Sequence, residues 1–265
     1  MPGAIWSGAI SFGLVTVPVR MVSATRDLDV HFHQIDGATG ERIEIRRVAE
    51  PDGQEVAWEE VGRGYDLDGQ LVTVSDRELA QAAPERTHTI QIEEFVDAAA
   101  IDPAQLDRPY FLLPDAEAEG VIRAYRLLRD AMAGSRRVAI GRVVLRTNEY
   151  LVAVGERDGL LALTTMVYAD EIRSESEFPA IPTAQEWAPS RGELTAAVKL
   201  VRALSGDFEP DSYHDRDRER VRQMIAARLE GTSAESTEVE APAATAPAPD
   251  LMAALRASLE RVAQR

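Results

Sequence analysis

The chain has 265 residues, 45% of them apolar, and no cysteine. That length builds one large domain or a domain with appendages, and the lack of cysteine excludes disulfides, thiolate metal sites and cysteine nucleophiles. The formal net charge of −16 argues, as a global quantity, against a nucleic-acid binder.

The apolar opening from Ala4 to Val19 does not read as a signal peptide, because its first cation, Arg20, follows it and Gly8, Gly13 and Pro18 interrupt it. No apolar run approaches the roughly 20 residues that span a bilayer, so a soluble cytoplasmic protein is expected. Up to about Val167 the chain reads mainly as strands. Leu28, Val30 and Phe32 alternate with Asp29, His31 and His33, the period of a half-buried strand. Ile43 and Ile45 alternate with Arg42, Glu44 and Arg46, and Pro51-Asp52-Gly53 turns the chain into a second strand over Gln54 to Trp58. Asp68-Gly69 predicts a hairpin, as does Arg157-Asp158-Gly159 between Tyr150–Val154 and Leu160–Val167. Many short strands joined by tight turns imply an antiparallel barrel or sandwich.

Helices interrupt the pattern. Ser75 with Glu78 is a capping box opening a short helix that must end by Pro84. Asp115 is a candidate cap for a helix running to about Ala133, with Val121, Tyr125, Leu128 and Met132 on one stripe and Gly134 past its end. From Val121 to Asn148 the chain carries Arg123, Arg126, Arg129, Arg136, Arg137, Arg142 and Arg146 against the single acid Asp130, so its charges are segregated. Beyond Val167 the character becomes helical: Ser190 and Glu193 form a capping box before Leu194, Val198, Val201 and Leu204, and another helix spans about Ser212 to Glu230. Residues 232–249 are rich in Ala, Pro, Thr, Ser and Glu and predict a flexible linker. Asp250 then caps a last amphipathic helix over 250–265, with Leu251, Leu255, Leu259 and Val262 on one side. A short apolar helix on a loose tether suggests docking on a partner, and folding back on the main domain is the plain alternative.

No Walker loop, dinucleotide fingerprint, Gly-x-Ser-x-Gly or His-Glu-x-x-His occurs, so neither enzyme chemistry nor a cofactor is expected. His31 and His33 share one face of the predicted strand, but a metal would need a further ligand such as His88 or His214, and a solvated face explains them as well. Arg42 and Arg46 share a face, Arg47 follows, and Arg136 and Arg137 open another strand that carries Arg142 and Arg146. Charged faces are usually just solvated. Arginine's planar fork nevertheless grips phosphate oxygens, which makes these the candidate phosphate contacts.

Several runs carry a family likeness. Ala4-Ile5-Trp6-Ser7-Gly8-Ala9-Ile10-Ser11-Phe12-Gly13-Leu14-Val15, continuing through Val17-Pro18-Val19, resembles the N-terminal signature of bacterial Ku proteins. So do Val22-Ser23-Ala24-Thr25, Phe32-His33-Gln34, Arg63-Gly64-Tyr65, Ile92-Glu93-Glu94-Phe95-Val96, Asp107-Arg108-Pro109-Tyr110-Phe111-Leu112 and Tyr213-His214-Asp215. The tail from Asp250 to Leu259 resembles the family's C-terminal helix.

The resemblance implies a mainly β fold with α: a β-barrel core with an extended arm, followed by C-terminal helices. It implies a core domain over 1–231, the linker 232–249 and a ligase-recruiting helix over 250–265. Two copies would join their arms into a homodimeric ring around duplex DNA ends, without catalysis of their own. The ring would recruit an ATP-dependent multifunctional DNA repair ligase for non-homologous end joining, in the cytoplasm at the nucleoid. The candidate DNA contacts, taken from the arginine-bearing strands, are Arg42, Arg46, Arg47, Arg136, Arg137 and Arg142, together with Arg63, which stands where the family often has lysine. The ligase contacts are Leu251, Leu255, Arg256 and Leu259. Ala49 and Asp52 stand where some members have a Cys-x-x-Cys pair, and the extra DNA affinity that the family's frequent lysine-rich extension implies is not expected. A β-rich protein-interaction scaffold that never touches DNA is the alternative reading, with a metal-dependent hydrolase using His31 and His33 behind it.

Overall fold

Gly13, at φ +57°, turns strand β1 (Trp6–Phe12) back into β2 (Val15–Ser23), with Phe12 opposite Val15. A two-residue turn entered at positive φ matches the right-handed twist of the strands it joins. The structure is a computed structural model, and it describes residues 3–85, 87–178, 188–231 and 251–263. These form two units, Met1–Leu28 with His33–Glu175, and Asp29–Phe32 with Ser176–Arg265.

In the first unit the chain leaves the barrel after Ser23 and returns only at Thr89. The excursion holds a hairpin, β3 (Arg63–Leu67) and β4 (Gln70–Val74), and a short helix α1 (Asp76–Ala82). Then follow β5 (Thr89–Asp97), β6 (Leu106–Pro114), helix α2 (Glu119–Ser135), β7 (Arg137–Leu145), β8 (Asn148–Arg157) and β9 (Leu160–Met166). Seven strands close a barrel in the order β1-β2-β6-β9-β8-β7-β5. Six neighbour pairs are antiparallel, as expected, but β1 and β5 close it in parallel, Ala9 beside Thr89. The long excursion makes this possible, since parallel neighbours need a crossover rather than a turn. Gly8 and Gly141 permit the close approach: a Cβ on either would collide with backbone, the carbonyl oxygens of His88 and Gln91 respectively.

Ile10, Val17, Val19, Met21, Ile90, Leu112, Val143, Val152, Val154, Leu161 and Leu163 fill the barrel. Helix α2, connecting β6 to β7, buries Tyr125, Leu128 and Met132 in the same core, as its stripe predicted. The Tyr125 hydroxyl donates to the Leu112 carbonyl (2.7 Å) and accepts from the Leu161 N–H (2.8 Å), and burial pushes its phenol pKa up. The Tyr125→Phe variant leaves both backbone groups without that partner. It is expected to lose about 1–3 kcal/mol of stability, read as a lower urea midpoint at unchanged slope. An unmoved midpoint would show that the hydroxyl is dispensable.

The second unit contains helices α3 (Arg191–Leu204), α4 (Arg216–Leu229) and α5 (Leu251–Ala263). The capping boxes of α1 and α3 form as predicted, Ser75 with Glu78 and Ser190 with Glu193. Among the described residues, no helix is long and apolar enough to cross a membrane. The expected linker at 232–249 and the Asp250 cap lie outside the described residues.

Several expectations need correction. The predicted strand over Leu28 to Phe32 does not form, because no neighbouring strand offers it a ladder; Phe32 is 67% exposed. The predicted strands around Ile43–Arg46 and Gln54–Trp58 reduce to isolated bridges, Ile35 with Arg42 and Val48 with Glu55. Asp115 does not cap α2: its N–H donates to the Pro18 carbonyl, extending the β2–β6 ladder, and Ala118 takes the N-cap position. At the other end α2 runs through Gly134 and stops at Arg136 in the left-handed conformation (φ +54°), so Arg136 precedes the strand rather than opening it. Arg146 lies in the turn after β7, at φ +60°. Helix α4 begins only after Asp215, whose carboxylate accepts from the N–H groups of Asp217 and Arg218.

Candidate nucleic-acid interface

The excursion between Ser23 and Thr89 behaves as an arm. Among its described residues from Thr25 to His88 none is buried, although Ile43, Ile45, Val48, Trp58, Tyr65 and Leu71 are large and apolar. Ile45 is 77% exposed and Leu71 69%. Single exposed apolar residues are ordinary, but a run of them on a segment without a core marks a surface for another molecule.

The same arm carries four of the arginines singled out above. Arg42 bridges to Ile35 through the backbone, and its guanidinium has no ion-pair partner among the described residues. The guanidinium carbon of Arg47 lies 4.3 Å from the centre of the Trp58 ring, a cation–π contact that steadies the side chain without neutralising it. Arg46 is held by Glu55 (3.2 Å) and Glu44 (3.4 Å), and Arg63 by Asp76 (3.5 Å). Carboxylates outnumber arginines along the arm as a whole, and Arg42 and Arg47 are among its cations without a carboxylate partner among the described residues.

The barrel arginines form a separate group. Arg136 and Arg137 sit where α2 passes into β7, at the end of the barrel that α2 covers. The arm leaves and rejoins at the opposite end, beside Ser23 and Thr89. Arg142 is bonded to Glu93 (2.9 Å) and Glu149 (3.1 Å). The hydrogen bonds from Glu149 and then Glu93 hold its guanidinium above the ordinary arginine pKa. Glu93 takes its Nε–H and Glu149 an Nη1–H, which leaves fewer of its donors for a phosphate.

In the second unit α5 packs along α3, and Met252, Arg256 and Leu259 face Arg191, Gly192, Thr195, Ala196 and Lys199 across a groove. The Met252 methyl lies 3.4 Å from the point where a Cβ on Gly192 would stand. Leu255 and Leu259 are half-buried, but Leu251 is 53% exposed, so Met252 rather than Leu251 continues the packed stripe. Of the two readings the sequence allowed, docking on a partner or packing within the chain, the second is present here: α3 supplies a face for the helix.

His31 belongs to the second unit and His33 to the first. Among the described residues, no group of three or more His, Asp or Glu side chains is placed to hold a metal. Sequence reading missed one cluster, the open end of the barrel, where Arg108 and Arg146 stand with Trp6, Tyr110 and Tyr150. Its only sequence signal is the inward alternation of those aromatic positions along their strands.

The sequence of residues 11–196, which holds most of the barrel and its arm, matches the family model of the Ku70/Ku80 beta-barrel domain. The chain belongs to the Ku family. It is similar to the non-homologous end joining protein Ku 1 of Saccharopolyspora erythraea, 40% identical over 98% of this chain and 79% of the relative. It is likewise similar to the non-homologous end joining protein Ku of Anaeromyxobacter sp., 42% identical over 100% of this chain and 88% of the relative. The protein of that name from Mycobacterium tuberculosis is 37% identical over 97% of this chain and 94% of its own length.

Proposed function

We propose that the chain binds the ends of double-stranded DNA as a homodimeric ring, without regard to sequence, and brings a repair ligase to them in non-homologous end joining. The observation that carries this reading is the arm. It is long, has no core of its own, and exposes apolar side chains together with unneutralised arginines. The apolar side chains suit a second copy of the same arm, since an isologous pairing covers both at once. The arginines suit phosphate, which every sequence presents alike. The relatives' names point to the same process. No catalytic step falls to the chain; its partners are DNA ends, its own copy and an ATP-dependent multifunctional ligase, met at the nucleoid in the cytoplasm.

The first test is mass in solution, expected near twice the monomer's 29.0 kDa. The second is salt dependence. Replacing Arg42, Arg46 and Arg47 together by Ala should weaken binding equally on unrelated sequences. The slope of log affinity against log salt should fall by about 0.9 per lost phosphate contact. Arg42 and Arg47 together then account for a drop of about 1.8, with Arg46 adding little while Glu44 and Glu55 hold it. Arg142→Ala should leave the slope unchanged, because Glu93 and Glu149 already occupy that guanidinium. An unaltered slope in the triple variant would place the arm's cations away from the duplex and turn attention to Arg136 and Arg137.

A further inference from the structure

The barrel has two unequal ends. Helix α2 covers one, with Tyr125 bonded into the β6–β9 ladder. The other, where β1 begins and β9 ends, stays open over a cleft of about 250 Å³ lined by Trp6, Asp107, Arg108, Tyr110, Arg146, Tyr150 and neighbouring Ile5, Leu145 and Thr165. That volume lies near the small end of ligand sites, about 300 Å³, which suits one nucleotide and not an oligomer.

Trp6 is stacked on His88 at 6.5 Å between ring centres and 22° between planes, fixing the indole's orientation. Tyr110 and Tyr150 are half-buried, and among the described residues neither phenol hydroxyl has a hydrogen-bond partner. Thr165, buried at 2% exposure, donates to the Asp107 carboxylate (3.1 Å) and accepts from the Arg108 N–H (3.0 Å). This ties down the backbone from which the Arg108 side chain reaches out. Arg108 meets Asp107 only at 3.9 Å, and Arg146, raised on its left-handed turn, has no ion-pair partner among the described residues. Aromatic faces, free hydroxyls and two available guanidinium forks thus converge on one small cleft. Aromatic faces stack bases of any sequence, and guanidinium forks bind phosphate oxygens.

We propose that this open mouth is a nucleotide pocket that takes one nucleoside 5′-monophosphate unit, its base among Trp6, Tyr110 and Tyr150 and its phosphate on Arg108 and Arg146. The unit comes either from a free nucleotide or from the terminus of a DNA strand. The second source rests on the end-binding reading above, and the arm springs from this same end of the barrel, at Ser23 and Thr89.

The test titrates full-length protein with dAMP, deoxyadenosine and inorganic phosphate by calorimetry and saturation-transfer NMR. Saturable dAMP binding is expected, with deoxyadenosine and phosphate each weaker by about tenfold or more, the loss of one charge-assisted contact set or of the stack. Arg108→Gln with Arg146→Asn should weaken dAMP by at least about tenfold while leaving deoxyadenosine unchanged. Arg146→Asn alone serves if the pair disturbs folding, since Asn tolerates the left-handed turn. Competition by a linear duplex with single-stranded 5′-phosphorylated ends, but not by a closed circle, identifies the strand terminus as the source. Competition by neither identifies the free nucleotide. No saturable binding of dAMP, or equal binding by the variants, overturns the pocket. A shift assay on linear duplex run beside it keeps the two readings separate: duplex bound without dAMP removes only the pocket, and dAMP bound without duplex removes only end binding.

Discussion

A linear duplex of a few hundred base pairs should bind this protein at least about a hundredfold more tightly than the same sequence closed into a relaxed circle. The expectation follows from geometry and from charge together. With a net charge of −16, most of the outer surface repels DNA, and casual electrostatic adhesion, which gives ordinary binders dissociation constants of about 10⁻⁴–10⁻⁶ M on any duplex, is weakened here. What remains is a local run of arginines on the arm, with Arg46 and Arg63 already paired to carboxylates. So few contacts hold DNA well only if the protein surrounds it, and a closed ring is entered only where a duplex stops. The decisive comparison uses one plasmid, relaxed and covalently closed, before and after a single restriction cut. Mass, sequence and charge stay constant and only the end appears. A difference below about threefold would rule out the ring, and would move weight to an interaction scaffold that meets other proteins through its apolar arm.

Much of this arrangement was legible because its signals are local. Asp68-Gly69 and Asp158-Gly159 adopt positive φ at both turn residues, as their hairpins require. Ser75 with Glu78 and Ser190 with Glu193 close their capping boxes within one helical turn. The stripe Tyr125, Leu128, Met132 needs only the helical period to be found. What stayed hidden depends on neighbours remote in sequence. The alternation over Leu28–Phe32 was genuine but had no strand beside it. Asp115 looked like a helix cap, but pairing with Pro18, far back in the chain, keeps it in the β2–β6 ladder, three residues before the N-cap position at Ala118. Arg142 read as an available cation because Glu93, its partner across the β5–β7 pair, lies 49 positions earlier. The mouth cluster draws Trp6, Arg108, Tyr110, Arg146 and Tyr150 from three strands and a turn, and no window along the sequence contains them together.

Removing residues from Asp250 onward should leave dimerisation and end binding within about twofold of the full chain and abolish the stimulation of ligase-catalysed joining. The terminal helix belongs to the second unit and contributes no residue to the barrel's core, so its loss costs the barrel no core. A helix of this length is marginal alone in water, and here α3 supports it: Met252 and Leu259 lie against Gly192, Thr195 and Ala196. That packing sharpens the prediction. If a ligase groove takes the face that holds Leu255 and Leu259, it must lift the helix from α3, and recruitment becomes a competition between two apolar surfaces. Leu259→Ala should then abolish stimulation much as truncation does. Leu251→Ala, at a side chain that α3 leaves 53% exposed, should weaken stimulation without changing how the helix rests on α3. Shift and ligation assays run in parallel on the full chain, the truncation and the two point variants separate these effects. Undiminished ligation by the truncated chain would remove α5 as the recruiting element. Loss of end binding on truncation would show that the helix supports the fold of the ring itself.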